Sequence, residues 1–294
     1  MTVTTVAADE RDEVLDLIAS EQAHPDRGTT MLGEDRDGIA AELGDVEPDW
    51  TASLRVARED GRIVGAVVGD WDPEVGRAWI LGPWVVGDDD AWRRWARPLL
   101  DSVLEQLPEG IGDWELAADV SHVRMAELGE ELGLPPSEVS HVYSVDAATV
   151  DTWPEPAGEV RPATHADLET IRPLHDQVFP ASYATAENLL PDPPDGKFDV
   201  VIATDGPRLL GYAAGRVQAD GEGYLDFIAV ADAARGRGTG RDLMVAVCRP
   251  VIAASTTGKL HLTVQDHRSP ARRLYESLGF RRSLSIVGYR HKSG

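Results

Sequence analysis

The feature that most constrains this chain is an apolar strand, a loop of alternating glycines and a helix in unbroken succession. The run is Tyr224-Leu-Asp-Phe-Ile-Ala-Val230, then Ala-Asp-Ala-Ala, then Arg235-Gly-Arg-Gly-Thr-Gly240, then Arg241-Asp-Leu-Met-Val-Ala-Val. Glycines at 236, 238 and 240 permit positive φ and let a ligand approach the backbone closely. Free N–H groups at the helix start, with a partial charge of roughly +0.5, converge on one point. Arg235, Arg237 and Arg241 add fixed positive charge there. The stretch Arg235, Gly236, Arg237, Gly238, Thr239, Gly240 and Arg241 is therefore expected to cradle a pyrophosphate.

Other glycine-rich motifs fit less well. A P-loop ends in Gly-Lys-Ser/Thr, and a dinucleotide fingerprint places G-x-G-x-x-G early in a strand-helix-strand unit; the run has neither pattern. An arginine-glycine patch for RNA conflicts with the flanking strand and helix. It also conflicts with a net charge of −23, which repels a phosphate backbone. That charge is uneven: residues 1–150 hold 11 Lys+Arg against 33 Asp+Glu, and residues 151–294 hold 17 against 18. Only the second half can receive a polyanion without a long-range penalty.

Asp151-Thr-Trp-Pro-Glu-Pro-Ala-Gly158 carries two prolines and no apolar period, so a linker is expected over 148–158, between domains at 1–147 and 159–294. Beyond it, Thr164-x-x-Asp167 resembles a capping box ahead of Leu168, Ile171, Leu174 and Val178 at helical spacing. Strands follow at 198–204, 209–218 and 224–230, then a helix at 240–254, a strand at 259–264, a helix at 270–278 and a strand near 284–289. The first half repeats this order: strands at 2–7, 52–57, 63–69 and 78–86, a helix at 90–106, a strand at 114–118, a helix at 123–132 and a strand at 140–145. The fold class is α/β, an α+β mixed sheet in each half with helices on both faces. No apolar stretch is long enough to span a membrane, no export signal opens the chain, and the single Cys248 has no thiol or His cluster around it. A cytoplasmic protein without a metal is expected.

Two motifs together resemble the GNAT superfamily of N-acetyltransferases. Arg235, Gly238 and Gly240 match its R-x-x-G-x-G/A, and Ala271, Leu274-Tyr275 and Gly279-Phe280 match its A-x-x-L-Y-x-x-x-G-F after the strand 260–264. The resemblance covers residues 158–294 and extends to 1–150 only by element order, so it implies two tandem acyl-CoA N-acyltransferase (GNAT) domains. It implies acetyl-CoA as cosubstrate, with pyrophosphate on the 235–241 loop and the pantetheine arm along Phe227, Ile228, Ala229 and Val230 where two parallel strands part. Tyr275 takes the place of the family's general acid. Asp226, expected on one strand face with Ile228 and Val230, stands where many members carry a base. Arg268 replaces an asparagine that in the family touches the cofactor arm. The aromatics of Val178-Phe-Pro-Ala-Ser-Tyr183 resemble a stretch lining the acceptor pocket.

In the first half, Asp88, Asp89 and Asp90 stand where pyrophosphate would lie, and like charges at about 4 Å repel by roughly 1 kcal/mol even in water. They read instead as a helix cap and first turn. Trp79, Trp84, Trp92 and Trp95 read as core or interface rather than a substrate cage. The expectation is an enzyme, monomer or homodimer, that acetylates a primary amine of a small molecule or peptide. Negative charge at the cleft would favour a cationic acceptor. A non-catalytic acyl-CoA sensor is the alternative.

Overall fold

The runs between 199 and 230 pair as the meander that their turns imply. The structure, a computed structural model, describes residues 2–24, 26–29, 32–33, 35–46, 49–74, 76–180 and 182–293. In chain order the elements are β1 (Thr2–Thr4), α1 (Arg11–Gln22), α2 (Arg36–Gly44), α3 (Trp50–Ser53), β2 (Arg55–Glu59), β3 (Arg62–Asp72), β4 (Arg77–Val85), α4 (Asp89–Leu104), β5 (Asp113–Asp119), α5 (Val123–Glu131) and β6 (Ser140–Asp146). They continue with α6 (Ala147–Asp151), β7 (Val160–Pro162), α7 (Leu168–Val178), α8 (Ala186–Leu189), β8 (Asp199–Asp205), β9 (Arg208–Val217), β10 (Gly223–Val230), α9 (Thr239–Ala254), β11 (Lys259–Gln265), α10 (Ser269–Ser277) and β12 (Arg281–His291). The principal helices and strands fall within a few residues of their expected places. The strand expected at 52–57 begins only at Arg55, because Asp49 caps Thr51 and starts a helical turn first. Helices α2 and α8, capped by Asp35 and Thr185, are additions to the expected order.

The chain forms two compact units, and their membership differs from the expected division. One holds Met1–Ser140 with Leu284–Gly294, the other His141–Ser283. Each half's last strand thus belongs to the unit built mainly by the other half. In the first unit β1, β2, β3 and β4 are antiparallel neighbours, β5 runs parallel to β4, and β12 pairs antiparallel to β5. In the second unit β7, β8, β9 and β10 are antiparallel, β11 runs parallel to β10, and β6 lies beside β11.

Residues 148–158 are built into the second unit and are not a free linker. Val150 and Trp153 join the core of Leu243, Val247, Val251, Leu260, Leu262 and Phe280. The Trp153 indole N–H donates to the Leu278 carbonyl at 2.8 Å. The backbone amides of Ala157 and Gly158 donate to the buried Asp242 carboxylate at 3.1 and 2.9 Å. Prolines 154 and 156 mark a strap whose polar backbone groups find side-chain partners. A second core, on the opposite face of this sheet, brings Ile171 of α7 against Tyr212, Phe227 and Ala229. Among the described residues no helix is long and apolar enough to cross a membrane.

Candidate functional site

The site grows from the point where β10 and β11 part. Their parallel ladder pairs Gly223 with Leu260, Tyr224 with His261 and Leu225 with Leu262, and stops there. Strand β10 continues to Val230, still paired with β9 through Gly211. One main-chain edge of Phe227, Ile228, Ala229 and Val230 is therefore left without a strand partner among the described residues. The 235–241 loop begins five residues farther on, after a short turn at Asp232–Ala234.

Gly236 and Gly238 sit at φ 74° and 89°, and a Cβ added at either would meet open space. Gly238 is the N-cap of the sixteen-residue α9 and provides no side-chain cap for the amides that follow. Gly240 differs: it is helical, and a Cβ there would press on Leu274 at 3.2 Å and approach Val230 at 3.6 Å. The loop thus presents bare backbone outward, and its third glycine seats the helix start against α10. Arg237 is exposed, as is Arg235, which pairs with Asp232 at 3.0 Å, and Arg241 is half-buried. The Thr239 hydroxyl is turned inward, 3.4 Å from the Ala234 carbonyl.

Asp226 occupies a β-bulge: Leu225 faces Gly215 and Phe227 faces Ala214, so Asp226 has no partner on β9. A bulge interrupts the alternation of side chains. Ile228 and Val230 pack toward the α9 core, whereas Asp226 and Phe227 both meet Tyr183. The shared face expected for Asp226, Ile228 and Val230 is therefore corrected by the extra residue. The Asp226 side chain is 0% exposed and forms an ion pair with Arg216 Nε at 3.2 Å. Tyr183 donates to its Oδ1 at 2.5 Å, and its Oδ2 is buried with no hydrogen-bond partner among the described residues. Burial lifts the Asp226 carboxyl to about 6, against the opposing pull of Tyr183 and Arg216.

Tyr275 is 4% exposed, beside Tyr143 and Phe280 at ring distances of 6.3 and 6.0 Å. Its hydroxyl has no hydrogen-bond partner among the described residues, and burial raises its pKa above the ordinary phenol value. It holds its proton firmly. Arg268 is tied to the end of α7: its guanidinium donates to the Val178 carbonyl at 3.4 Å and lies over the Phe179 ring at 5.7 Å. Of the aromatic stretch 178–183, Phe179 meets the Phe227 ring edge-on and Tyr183 lies tilted against it, while Ala181 lies outside the described residues. Arg216 carries no motif, and only the bulge at Asp226 makes its importance visible, whereas Tyr183 ends the aromatic stretch that resembles an acceptor-pocket lining. Among the described residues no group of three or more His, Cys, Asp or Glu is arranged to hold a metal.

The first unit has the same parting of strands with a different content. The β4 and β5 ladder ends at Ile80 and Leu116, while β4 runs on to Val85. Beyond that point Thr29 bridges to Ala118 of β5, and its hydroxyl donates to the Ala117 carbonyl at 2.9 Å. Gln22 Oε1 accepts from the Thr29 amide at 2.6 Å and from the Trp84 indole of β4 at 2.8 Å. The chain itself bonds to the strand edge. Asp88 caps α4 through the Ala91 amide at 3.0 Å, and Arg124 pairs with Asp89 at 2.7 Å. Trp84, Trp92 and Trp95 are core residues, and Trp79 is half-buried under Arg77.

Residues 167–280 match the profile of the Acetyltransferase (GNAT) family. No curated protein sequence matches the chain. Among solved structures, the chain is similar to a GCN5-related N-acetyltransferase from Sphaerobacter thermophilus at 16% identity and TM-score 0.69, over 99% of this chain and 95% of that one. It is similar to a tandem GNAT protein from the clavulanic acid biosynthesis pathway at 17% identity and TM-score 0.62, over 100% and 98%. A GCN5-related N-acetyltransferase from Kribbella flavida is similar at 18% identity and TM-score 0.58, over 87% and 96%. These likenesses establish the fold along the whole chain.

Proposed function

We propose that the protein, whose residues 167–280 match the Acetyltransferase (GNAT) family profile, is an N-acetyltransferase that moves an acetyl group from acetyl-CoA to a primary amine of a small molecule or peptide. The observation that carries this reading is the open edge of β10 beyond Leu225, leading directly into a glycine loop of bare backbone. A pantetheine arm can take the vacant strand position from Phe227 to Val230. Its pyrophosphate then meets the amides of 236–240 and the charges of Arg235, Arg237 and Arg241. The first unit binds no donor in this reading, because Thr29 fills the parting between β4 and β5 from the β5 side, bonding at Ala117 and Ala118, and Asp88 and Asp89 meet the helix start.

Acetyl transfer needs a proton removed from the amine and one delivered to the sulfur. Asp226 is the acceptor of the first. Its carboxylate is closed off by Tyr183, so the proton passes through that hydroxyl: Tyr183 gives its proton to Asp226 as it takes one from the amine. Tyr275, neutral and unbonded, is the donor of the second. Main-chain groups on the free edge of β10 stabilise charge on the carbonyl oxygen.

The test is thiol release from acetyl-CoA across an amine library, with mass spectrometry of the products. Acetylated amine is expected. Calorimetric binding of acetyl-CoA without thiol release would instead indicate a sensor, and no heat of association would remove the reading altogether.

A further inference from the structure

Beside Asp226 and Tyr183 lies a cavity of about 290 Å³ whose walls include Tyr183, Lys197, Phe198 and Arg216. Arg216 is held on two sides. Its guanidinium lies over the Phe198 ring at 5.2 Å, and its Nε, buried and without an aligned hydrogen bond, faces Asp226 at 3.2 Å. The terminal NH groups of Arg216 bond to no described residue, and the side chain is 27% exposed. Lys197, with its ammonium 5.9 Å from the same ring, adds a second cation. The acids on the wall are engaged elsewhere: Glu187 pairs with Arg172, and Asp195 accepts from the Lys197 amide. A guanidinium fixed by a ring and a carboxylate, with its outer edge free in a cavity, presents two parallel donors in a plane.

We propose that the outer edge of Arg216 is a carboxylate subsite, so that the amine acceptor is an amino acid whose amino group is turned toward Tyr183 and Asp226. The inference rests on the acetyl-transfer reading and narrows its acceptor. The two charges of a free amino acid are then complementary to the neighbouring Asp226 and Arg216. Negative charge at the cleft is the condition for a cationic acceptor, and this wall instead carries the cations Arg216 and Lys197. An ester or a decarboxylated amine would leave the guanidinium edge unpaired in a half-buried site.

The experiment compares thiol release from acetyl-CoA with free L-amino acids, their methyl esters and the corresponding decarboxylated amines. The acids should exceed the esters in kcat/KM by about 10-fold or more, the strength of a charged hydrogen-bond pair. Arg216→Gln should bring that ratio close to one, and Arg216→Lys should restore part of it. The ratio is formed within each variant, so partial unfolding cancels from it. Equal use of acids and esters by the native protein, or a ratio unchanged in Arg216→Gln, would overturn the proposal. If no amine releases thiol, the transfer reading fails separately, and thermal-shift titration decides the subsite. Stabilisation by the acids over the esters that vanishes in Arg216→Gln supports it, and no such difference overturns it.

Discussion

Tyr275 and Asp226 are both shielded from water, with opposite consequences for their protons. Burial keeps the Tyr275 hydroxyl neutral and its ring is packed, so Tyr275→Phe removes one oxygen without opening a cavity. That variant should lose about 10²- to 10⁴-fold in kcat while binding acetyl-CoA as before, measured by steady-state kinetics and calorimetry. Asp226 titrates near 6, so kcat/KM should fall about tenfold per pH unit below that value and level off above it, and Asp226→Asn should abolish the limb. Stability runs the other way. A carboxyl whose folded pKa is raised favours the fold below its unfolded value near 4, and that contribution is lost as pH rises through 6. The native protein should therefore gain on Asp226→Asn as pH is lowered from 7 to 4 in melting experiments. At pH 7 the variant should melt at or above the native temperature, as expected if stability is given up for the proposed proton transfer. The residue types at 226 and 275 were legible in sequence. The burial and the orphaned Oδ2 were not, because they depend on Tyr183 and Arg216, separated from Asp226 by 43 and 10 positions.

At the scale of the element, the glycine loop divides into two kinds of position. Gly238→Ala would force a Cβ into left-handed backbone, costing roughly 1–2 kcal/mol, although nothing around it blocks the atom. The same methyl would stand on the surface offered to pyrophosphate, so KM for acetyl-CoA should rise along with the loss in Tm. Gly240→Ala lies in helical backbone, where alanine is favoured by roughly 1 kcal/mol, and its contact is the movable end of Leu274. Its melting temperature should stay close to native, and the pair of variants measured together separates backbone strain from ligand access. The position of this loop between strand and helix followed from local spacing. The bulge that reverses side-chain direction at Asp226 did not, since Leu225-Asp226-Phe227 alternates in sequence like any strand and only pairing with β9 reveals the extra residue. In the other unit the cap on α5 is a histidine: His122 Nδ1 accepts from the Met125 amide at 3.1 Å, and burial pushes its pKa down to about 4. A depressed histidine stabilises the fold above its ordinary value and ceases to do so as pH falls through 4. His122→Asn, which keeps a cap acceptor, should therefore flatten the loss of stability between pH 6.5 and 4 in acid melts.

For the molecule as a whole, the repeat of folding units was readable from element order, but the membership of the final strands was not. Ser140–Asp146 and Leu284–Tyr289 have the alternating pattern of any half-buried strand, and pattern alone does not say which sheet completes them. The proline-rich stretch at 151–158 misled for a related reason: it lacks periodicity, yet Trp153 and the Asp242 carboxylate fasten it. The consequence appears on truncation. A fragment spanning 159–294 removes β6 from beside β11 and takes Tyr143, Val145, Val150 and Trp153 out of the core that surrounds Val247 and Leu260. Burial of each such side chain contributes about 1.5–3 kcal/mol, so their combined loss is comparable to the whole stability of a domain, about 5–15 kcal/mol. It also exposes β11 as an unpaired edge. The 159–294 fragment should be aggregated or unfolded when expressed alone. A fragment spanning 141–283 retains that core and the strap, and should remain soluble with a cooperative melt. If circular dichroism and size-exclusion chromatography found the shorter fragment as well folded as the longer one, β6 and the strap would be dispensable, and the division read from the prolines would be the physical one.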